Sequence, residues 1–317
     1  MRSQLGMITW TQLRNRSPRL LRSLTGLNRC EIEKLQPAFK RALKTHKVSW
    51  SVVSKDKRQR KTGAGKTPKL NSTDLFCMIL VYFRVYPTQD FLGLLFAGQQ
   101  SWACKWVHRL TPVLETTLGE ENRLPIRGET GQKRISSLDE LLEICPELSF
   151  IIDGVERNVN RPKDSNKQKK RYSGKKKRHT IKNTVLSNTS GSKILFVGKS
   201  YPGCTHDKKM ADKDIPFFPF GSVLWQDTGY QGYLPPGVVK AHQPLKKLKN
   251  KERSAQDKLF NREVSATRVH VEHAIGGIKR SAIIGDIYRN RTQGFDDLVM
   301  PIAAGLHNFR MSMRFTK

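Results

Sequence analysis

Three carboxylates stand where they could hold a hard metal ion. Asp153 immediately follows the apolar run LSFII and precedes Gly154. Asp227 immediately follows SVLWQ and is followed by Thr228 and Gly229. Glu272 lies in ATRVHVEHAIGGIKR, which reads as helix. The two aspartates fall at the ends of predicted strands, each beside a glycine that permits a sharp turn. If those strands are neighbours, both acids converge at one edge of a sheet. Converging carboxylates repel and are costly to bury unpaired, so a cation or a proton has to lie between them. A glutamate delivered from a helix would complete an all-oxygen set, which selects Mg2+ or Mn2+ over zinc. Two such ions about 4 Å apart suit in-line displacement at phosphorus. A plainer reading stays open, in which each acid is a turn residue or the partner of a cationic side chain. Cations are plentiful, with 58 Lys and Arg against 27 Asp and Glu.

The elements that must position these acids follow from the pattern around them. LSFII is almost wholly apolar and predicts a strand buried on both faces. HTIKNTVLS and KILFVGKSY, joined by the turn-rich NTSGS, predict a hairpin. THDKKMADKD predicts a helix; SVLWQD and GVVKAH predict two short strands. From about Asn250 to Lys279 a long helix is expected, with Phe260, Val264, Val271, Ile275 and Ile278 as an imperfect apolar stripe. Arg268, Glu272 and Lys279 fall near the opposite, polar stripe. Gly276 and Gly277 leave that helix slim, so a second backbone or DNA can come close. His270 and His273 flank Glu272, but neighbouring helix positions point apart, so they read as core or DNA-facing residues. Trp225 reads as core packing. This order of elements suits a mixed α/β sheet with helices packed on it.

The first 145 residues read as helical. Residues 31–46 place Ile32, Leu35, Phe39 and Leu43 on one face. KDKRQRKTGAGKTPK is loop-like, either an arm on DNA or a solvated linker. Asn71, Ser72 or Thr73 can cap a helix carrying Leu75, Met78, Ile79, Tyr82 and Phe83, which Pro87 stops. A helix over Thr88 to Phe96, a turn at Ala97-Gly98 and a helix over roughly Ser101 to Leu118 follow. The last faces Trp106, Leu110, Val113 and Leu114 inward. The layout fits a helix-turn-helix at about 73–118 and equally a plain helical hairpin. Trp102 and Cys104 are bulky or oxidisable for a base-reading surface. Residues 119–147 read as a junction, so a helical DNA-binding region 1–145 precedes a catalytic region 146–317.

The net charge of +31 points to a polyanionic partner. A membrane is not expected: the longest apolar run, Leu75 to Tyr86, is broken by Arg84 and falls short of the ~20 residues a span needs. The run KQKKRYSGKKKRHTIK contains Lys169, Lys170, Arg171, Lys175, Lys176, Lys177 and Arg178. With Lys105, Arg109, Arg268 and Lys279 these are the candidate phosphate contacts, the alternative being a solvated charge run. LKKLKNKER (245–253) is a second basic segment. Five cysteines, an odd number without a CxxC spacing, argue against a zinc knuckle or a disulfide framework and for a reducing compartment.

Four motifs in order, IIDGVERNVNRPKDSNKQKKRYSGKKKRHTIKN, PGCTHDKKMAD, LWQDTGYQG and TRVHVEHAIGGIKR, closely resemble the DDE transposases of bacterial insertion sequences, in the fifth insertion-sequence family. Harbinger-type nucleases are more distantly similar. The resemblance runs from about Ile151 to Phe309, and LQPAFKRAL and YPTQDFLGLLF are similar to the N-terminal helix-turn-helix region of the same proteins. It implies a ribonuclease-H-like core, with Asp153, Asp227 and Glu272 as catalytic and metal-binding acids holding two Mg2+ or Mn2+ ions. It further implies cleavage at terminal inverted repeats, strand transfer into target DNA, a homodimer or higher oligomer on DNA, and a cytoplasmic, nucleoid-associated setting. A DNA-binding repressor without catalysis is the alternative. A ribosomal-type RNA-binding protein would leave the strand-end acids unexplained. His206-Asp207 also matches a family motif; no role is assigned to it, and Asp207 is the nearest rival for a place in the site.

Overall fold

The computed structural model describes residues 7–53, 70–96, 98–127, 145–214, 216, 218–246 and 252–315. The basic stretch 55–69, Ala97 of the expected turn, most of the junction 119–147 and the middle of LKKLKNKER lie outside the described residues. The chain divides into two compact units. One extends to Arg123 and takes in Arg280–Ile283; the other comprises Leu124–Lys279 and Ile284–Phe315.

The first unit is helical: α1 (Trp10–Arg14), α2 (Pro18–Thr25), α3 (Arg29–Val53), α4 (Ser72–Val85), α5 (Gln89–Leu95) and α6 (Gln100–Glu120). Ile32, Leu35, Phe39 and Leu43 of α3 are buried, as their spacing predicts. The stripe read on α4 is only part of its apolar surface. Every residue from Thr73 to Phe83 is buried, and a helix apolar all round belongs at a core. Asn71 supplies the cap: its Oδ1 accepts from the amides of Thr73 at 2.8 Å and Asp74 at 3.0 Å, and Asp74 accepts from the Asn71 amide at 3.0 Å. Asp74 also accepts from the Trp10 amide at 2.7 Å, which ties down α1. Tyr86 takes the left-handed conformation just before Pro87 and closes α4. The helices α1 and α2, with caps at Thr9 and Ser17, were not expected, because the first 30 residues show little periodicity.

The second unit contains β1 (Ile126–Arg127), β2 (Ser149–Asn158), α7 (Ser165–Arg171), β3 (Tyr172–Ser173), β4 (Arg178–Asn188), β5 (Ile194–Val197), β6 (Tyr201–Pro202), α8 (Asp207–Asp214), β7 (Ser222–Trp225), β8 (Val238–His242), α9 (Ala255–Lys279) and α11 (Phe295–Phe315); the short α10 (Ala282–Gly285), between the last two in sequence, belongs half to each unit. The sheet order is β1-β5-β4-β2-β7-β8, with β3 and β6 both on β4. β2, β4 and β5 are antiparallel; β2, β7 and β8 are parallel. A helical N-terminal region followed by this mixed sheet is the expected ribonuclease-H-like architecture. Phe150, Ile152, Leu186, Phe196, Leu224 and Val238 form the core on one side of the sheet, with Phe218, Tyr230 and Tyr233 packed onto them.

Several expectations are corrected. β2 does not stop after LSFII: β4 runs beside it to Asn158, pairing Asp153 with Val185 and Gly154 with Thr184. Asp153 is therefore within a strand and Gly154 is not a turn. Trp225 is half-buried outside the core. Its ring stacks on His242 at 4.1 Å and its Nε1 donates to Ser149 Oγ at 2.9 Å. The basic run holds the helix α7, and the 21-residue helix α11 has no counterpart among the expected elements.

The glycine pair of α9 divides in two. Gly277 faces α11, where an added Cβ would lie 2.2 Å from His307 Nδ1; at Gly276 nothing lies within 4 Å. Gly277→Ala is therefore expected to destabilise the protein by about 1–3 kcal/mol through overpacking. Gly276→Ala should be neutral or stabilising by up to ~1 kcal/mol from helix propensity. Chemical denaturation of the two variants beside the parent checks the contrast.

Candidate active site

Asp153 and Asp227 hold equivalent places on neighbouring strands. The parallel register of β2 and β7 ends with Ile151 opposite Trp225, and each carboxylate lies two residues further on. Side chains alternate along a strand, so the two acids leave on the same face. Asp153 Oδ1 accepts from the Gly154 amide at 2.7 Å. Asp227 caps a single 3-10 turn, Thr228–Tyr230, accepting from the Thr228 amide at 2.6 Å and its hydroxyl at 3.2 Å.

One guanidinium serves both acids. Arg268 of α9 places Nη2 3.8 Å from Asp153 Oδ2 and Nη1 3.8 Å from Asp227 Oδ1. These separations exceed hydrogen-bond length, so the pairing is electrostatic alone. Burial pushes the Asp153 carboxyl above its ordinary range. The Gly154 amide and Arg268 oppose that shift, and the charges of Asp227 and Asp207 add to it.

The third expected acid is placed differently. Glu272 is exposed, one turn beyond Arg268 on α9. Among the described residues no contact joins it to Asp153 or Asp227, and no three Asp, Glu, His or Cys side chains stand together as a ready-made metal cage. Lys279, further along the same face of α9, feels the charges of Asp153 and Glu156. The donors turned toward Arg268 are carboxylates, the chemistry that fits a hard, oxygen-seeking cation. His270 and His273 are exposed on α9 with their rings edge-on at 6.5 Å.

The profile of the DDE superfamily endonuclease matches residues 152–308, and that of the helix-turn-helix of DDE superfamily endonuclease matches residues 68–120. The chain is a DDE-superfamily transposase-like protein. Over 268 residues it is 29% identical to the probable transposase for insertion sequence element IS702 of Microchaete diplosiphon, covering 83% of this chain and 89% of that one. No solved structure matches it. The helix-turn-helix assignment gives α4, α5 and α6 of this transposase-like chain a DNA-binding character that their spacing alone left open. No helix among the described residues is long and apolar enough to cross a membrane.

The expected phosphate contacts separate into two groups. Lys169, Lys170 and Arg171 on α7, Lys175, Lys176 and Lys177 in the following turn, and Arg178 at the start of β4 are all exposed. None of them enters an ion pair among the described residues. The turn is built by Ser173, whose carbonyl accepts from the Lys177 amide and whose hydroxyl accepts from the Lys176 amide. Lys176 acts on Lys279: partial burial first, and Lys176 next, hold Lys279 below the usual lysine range. The basic turn thus lies within electrostatic range of the end of α9. In the first unit Lys105 is exposed, whereas Arg109 lies over the Trp50 ring at 5.0 Å. Arg268 is 13% exposed and faces the acids.

Two polar groups near the site carried no readable signal. Arg157 is buried on β2 and donates to Asn183 Oδ1 at 2.8 Å, Ser200 Oγ at 2.9 Å and the Asp296 carbonyl at 3.3 Å. Asp214 ends α8 and accepts from the Lys199 amide at 3.2 Å and the Tyr201 hydroxyl at 2.8 Å. Burial raises the Asp214 carboxyl above its ordinary value, against the pull of these bonds and of Thr184. A carboxyl raised in the folded state favours folding while protonated. Its contribution is lost as pH climbs from the unfolded value of 3.8 through the raised one. Asp214→Asn is expected to flatten that part of the stability–pH curve, as measured by denaturation at a series of pH values.

Proposed function

We propose that this chain is a transposase of the fifth insertion-sequence family that cuts DNA at insertion-sequence ends and joins the released ends to target DNA. The observation that carries this reading is the pair Asp153 and Asp227, set side by side by the parallel register of two strands and sharing one loosely held guanidinium. Two carboxylates so placed call for positive charge. Asp153, Asp227 and Glu272 would hold two Mg2+ or Mn2+ ions. When bound, such ions supply the charge that activates the attacking oxygen and stabilises the leaving oxygen at phosphorus.

The chain's own residues account for the rest. Lys279, which feels the charges of both Lys176 and Asp153, would with Lys176 fix the scissile phosphate. The exposed cations of α7 and the following turn would carry the flanking backbone. The helix-turn-helix, with Lys105 exposed on α6, would bind the terminal inverted repeat. A water oxygen would form the new bond to phosphorus as the P–O3′ bond breaks; the freed 3′-hydroxyl would then attack a target phosphate, whose own P–O3′ bond breaks and releases a target 3′-hydroxyl. No serine or tyrosine need bond to DNA. Two ends require two copies of the chain, so a homodimer or larger assembly on DNA belongs to this reading, in a bacterial cytoplasm beside the nucleoid.

One observation favours a second reading. Glu272 is exposed and a guanidinium already neutralises the other two acids, which suits a DNA-binding repressor that has lost catalysis. Mn2+-dependent nicking of an end-containing duplex separates the two. Asp153→Asn, Asp227→Asn and Glu272→Gln should each lower the rate by roughly two orders of magnitude, the scale of losing one group that stabilises transition-state charge. Equal rates in parent and variants would dismiss the three acids; end binding with no nicking by the parent would establish the repressor. In a separate measurement, Lys176→Ala and Lys279→Ala should each reduce the slope of log affinity against log salt by about one. An unchanged slope would remove those two lysines from the interface.

A further inference from the structure

A second concave feature lies past the end of β2. The segments 159–171 and 288–296 form the two walls of a cleft of about 510 Å³, and both belong to the second unit. Val159 is roughly 20 Å along the strand from Asp153 at the usual rise per residue. Asp153, Asp227, Arg268 and Glu272 take no part in the lining. The walls are fastened to each other. The Tyr288 amide donates to the Asn158 carbonyl at 2.8 Å, Val159 bridges Tyr288 in parallel, and the Val159 amide donates to the His179 carbonyl at 2.9 Å. In the first wall Gln168 Nε2 donates to the Pro162 carbonyl at 2.9 Å, and Gln168 Oε1 accepts from Arg161 Nε at 3.1 Å. In the second, Asn290 Oδ1 accepts from the Thr292 amide at 2.9 Å. A cleft shaped by such bonds needs little ordering when it binds.

The lining combines two chemistries. Arg161, Lys163, Lys167 and Arg171 line one wall and Arg289 and Arg291 the other, all of them exposed. The acids of the lining are Asp164 and Asp296, and Asp164 is engaged in capping α7, where it accepts from the Lys167 amide at 2.7 Å. Lys163, Lys167 and Arg291 enter no ion pair among the described residues. The floor differs. Ile181 and Tyr288 are buried and Val159 is half-buried. The Arg157 guanidinium lies 5.6 Å from the Tyr288 ring. Cations on both sides of a gap call for phosphate. An apolar floor between them offers nothing to phosphate but suits the face of a sugar or a base. A duplex keeps its bases stacked inside, so only a strand that has left the duplex presents both together.

We propose that this cleft binds a nucleotide of a single DNA strand, with its phosphates between the cationic walls and its sugar and base on the floor of Val159, Ile181 and Tyr288. The inference rests on the DNA-cutting reading given above, since cutting is what frees strands, and is independent of how the carboxylates are neutralised. It also separates two uses of the basic residues on this side of the sheet. Those of the turn after α7 track a backbone from outside, whereas Lys163, Lys167 and Arg291 enclose one.

Fluorescence anisotropy of the full chain with labelled oligothymidylate, and separately with an end-containing duplex, tests this. Asn160 is an exposed residue of the lining, so Asn160→Trp fills the cleft without changing its charge. That variant is expected to weaken oligothymidylate binding about five-fold or more, the scale of losing one base contact. Its duplex binding should stay within about two-fold of the parent, which also shows the variant to be folded. Lys163→Ala and Arg291→Ala should each lower the slope of log affinity against log salt for oligothymidylate by about 0.7. If the parent binds only the duplex, or if the three variants leave oligothymidylate binding unchanged or weaken the duplex equally, the cleft is no nucleotide site and the DNA-cutting reading stands. If the parent binds neither DNA, that reading fails and this inference with it.

Discussion

Two carboxylates on adjacent strands of one face repel each other unless positive charge stands between them, and much of the second unit can be understood from that constraint. The parallel pairing of β2 and β7 puts Asp153 and Asp227 side by side. The end of β7 at Trp225 frees the space above it, while β4 continues to hold β2 straight past Asp153. The helix α9 then brings Arg268 to both acids at the same distance. Each element is needed for a different part of the same balance: the strands set the repulsion, and the helix brings the charge that offsets it.

That balance depends on how closely α9 can be seated. Gly277 lets His307 of α11 lie against the helix, and Arg310 donates to the Gly277 carbonyl at 2.7 Å. Asn308, next to His307, exchanges a pair of hydrogen bonds with the Ile194 backbone, and at the start of α11 the Asp297 carboxylate accepts from the Ser200 amide at 2.6 Å. The helix thus fastens β5 and the loop after it to the layer that holds α9. A small change in the crossing of α9 and α11 would move Arg268, Glu272 and Lys279 together, since they share one stripe.

Much of this was visible in the residues themselves. LSFII and SVLWQ announce two buried strands, and an acid closing each of them is a pattern a reader can find. The stripe of Arg268, Glu272 and Lys279 follows from helical spacing. What was hidden had physical reasons. GVERN continues β2 because β4 supplies backbone partners, and nothing in its polar, glycine-led composition says so. The helix α11 passes through Pro301 and Gly305, both of which argue locally against helix, yet its buried face overrides them. A run of lysines looks the same whether solvated loop or helix, so α7 was invisible. The ion pair of Lys182 and Asp207 joins β4 to the start of α8, and no local spacing encodes it. Gly154 and Gly229 both read as chances for the backbone to turn; Gly229 does lie in the turn that Asp227 caps, whereas Gly154 lies within β2.

The cations of the second unit are sorted by surroundings, and the sorting gives the charge excess its meaning. Arg268 and Lys182 are largely enclosed and matched to acids. The seven cations from Lys169 to Arg178 are exposed, with no acid paired to them among the described residues. Exposed ammonium groups crowded along a helix and a turn repel one another, and that cost is relieved by phosphate more than by dilute salt. A polyanion drawn to this surface would in turn be repelled by bare carboxylates at Asp153 and Asp227. An acidic centre beside a basic surface is therefore workable only if the acids are neutralised when the polyanion arrives. The guanidinium already between them meets that need at 3.8 Å, without hydrogen bonds that would have to be broken before another cation took its place.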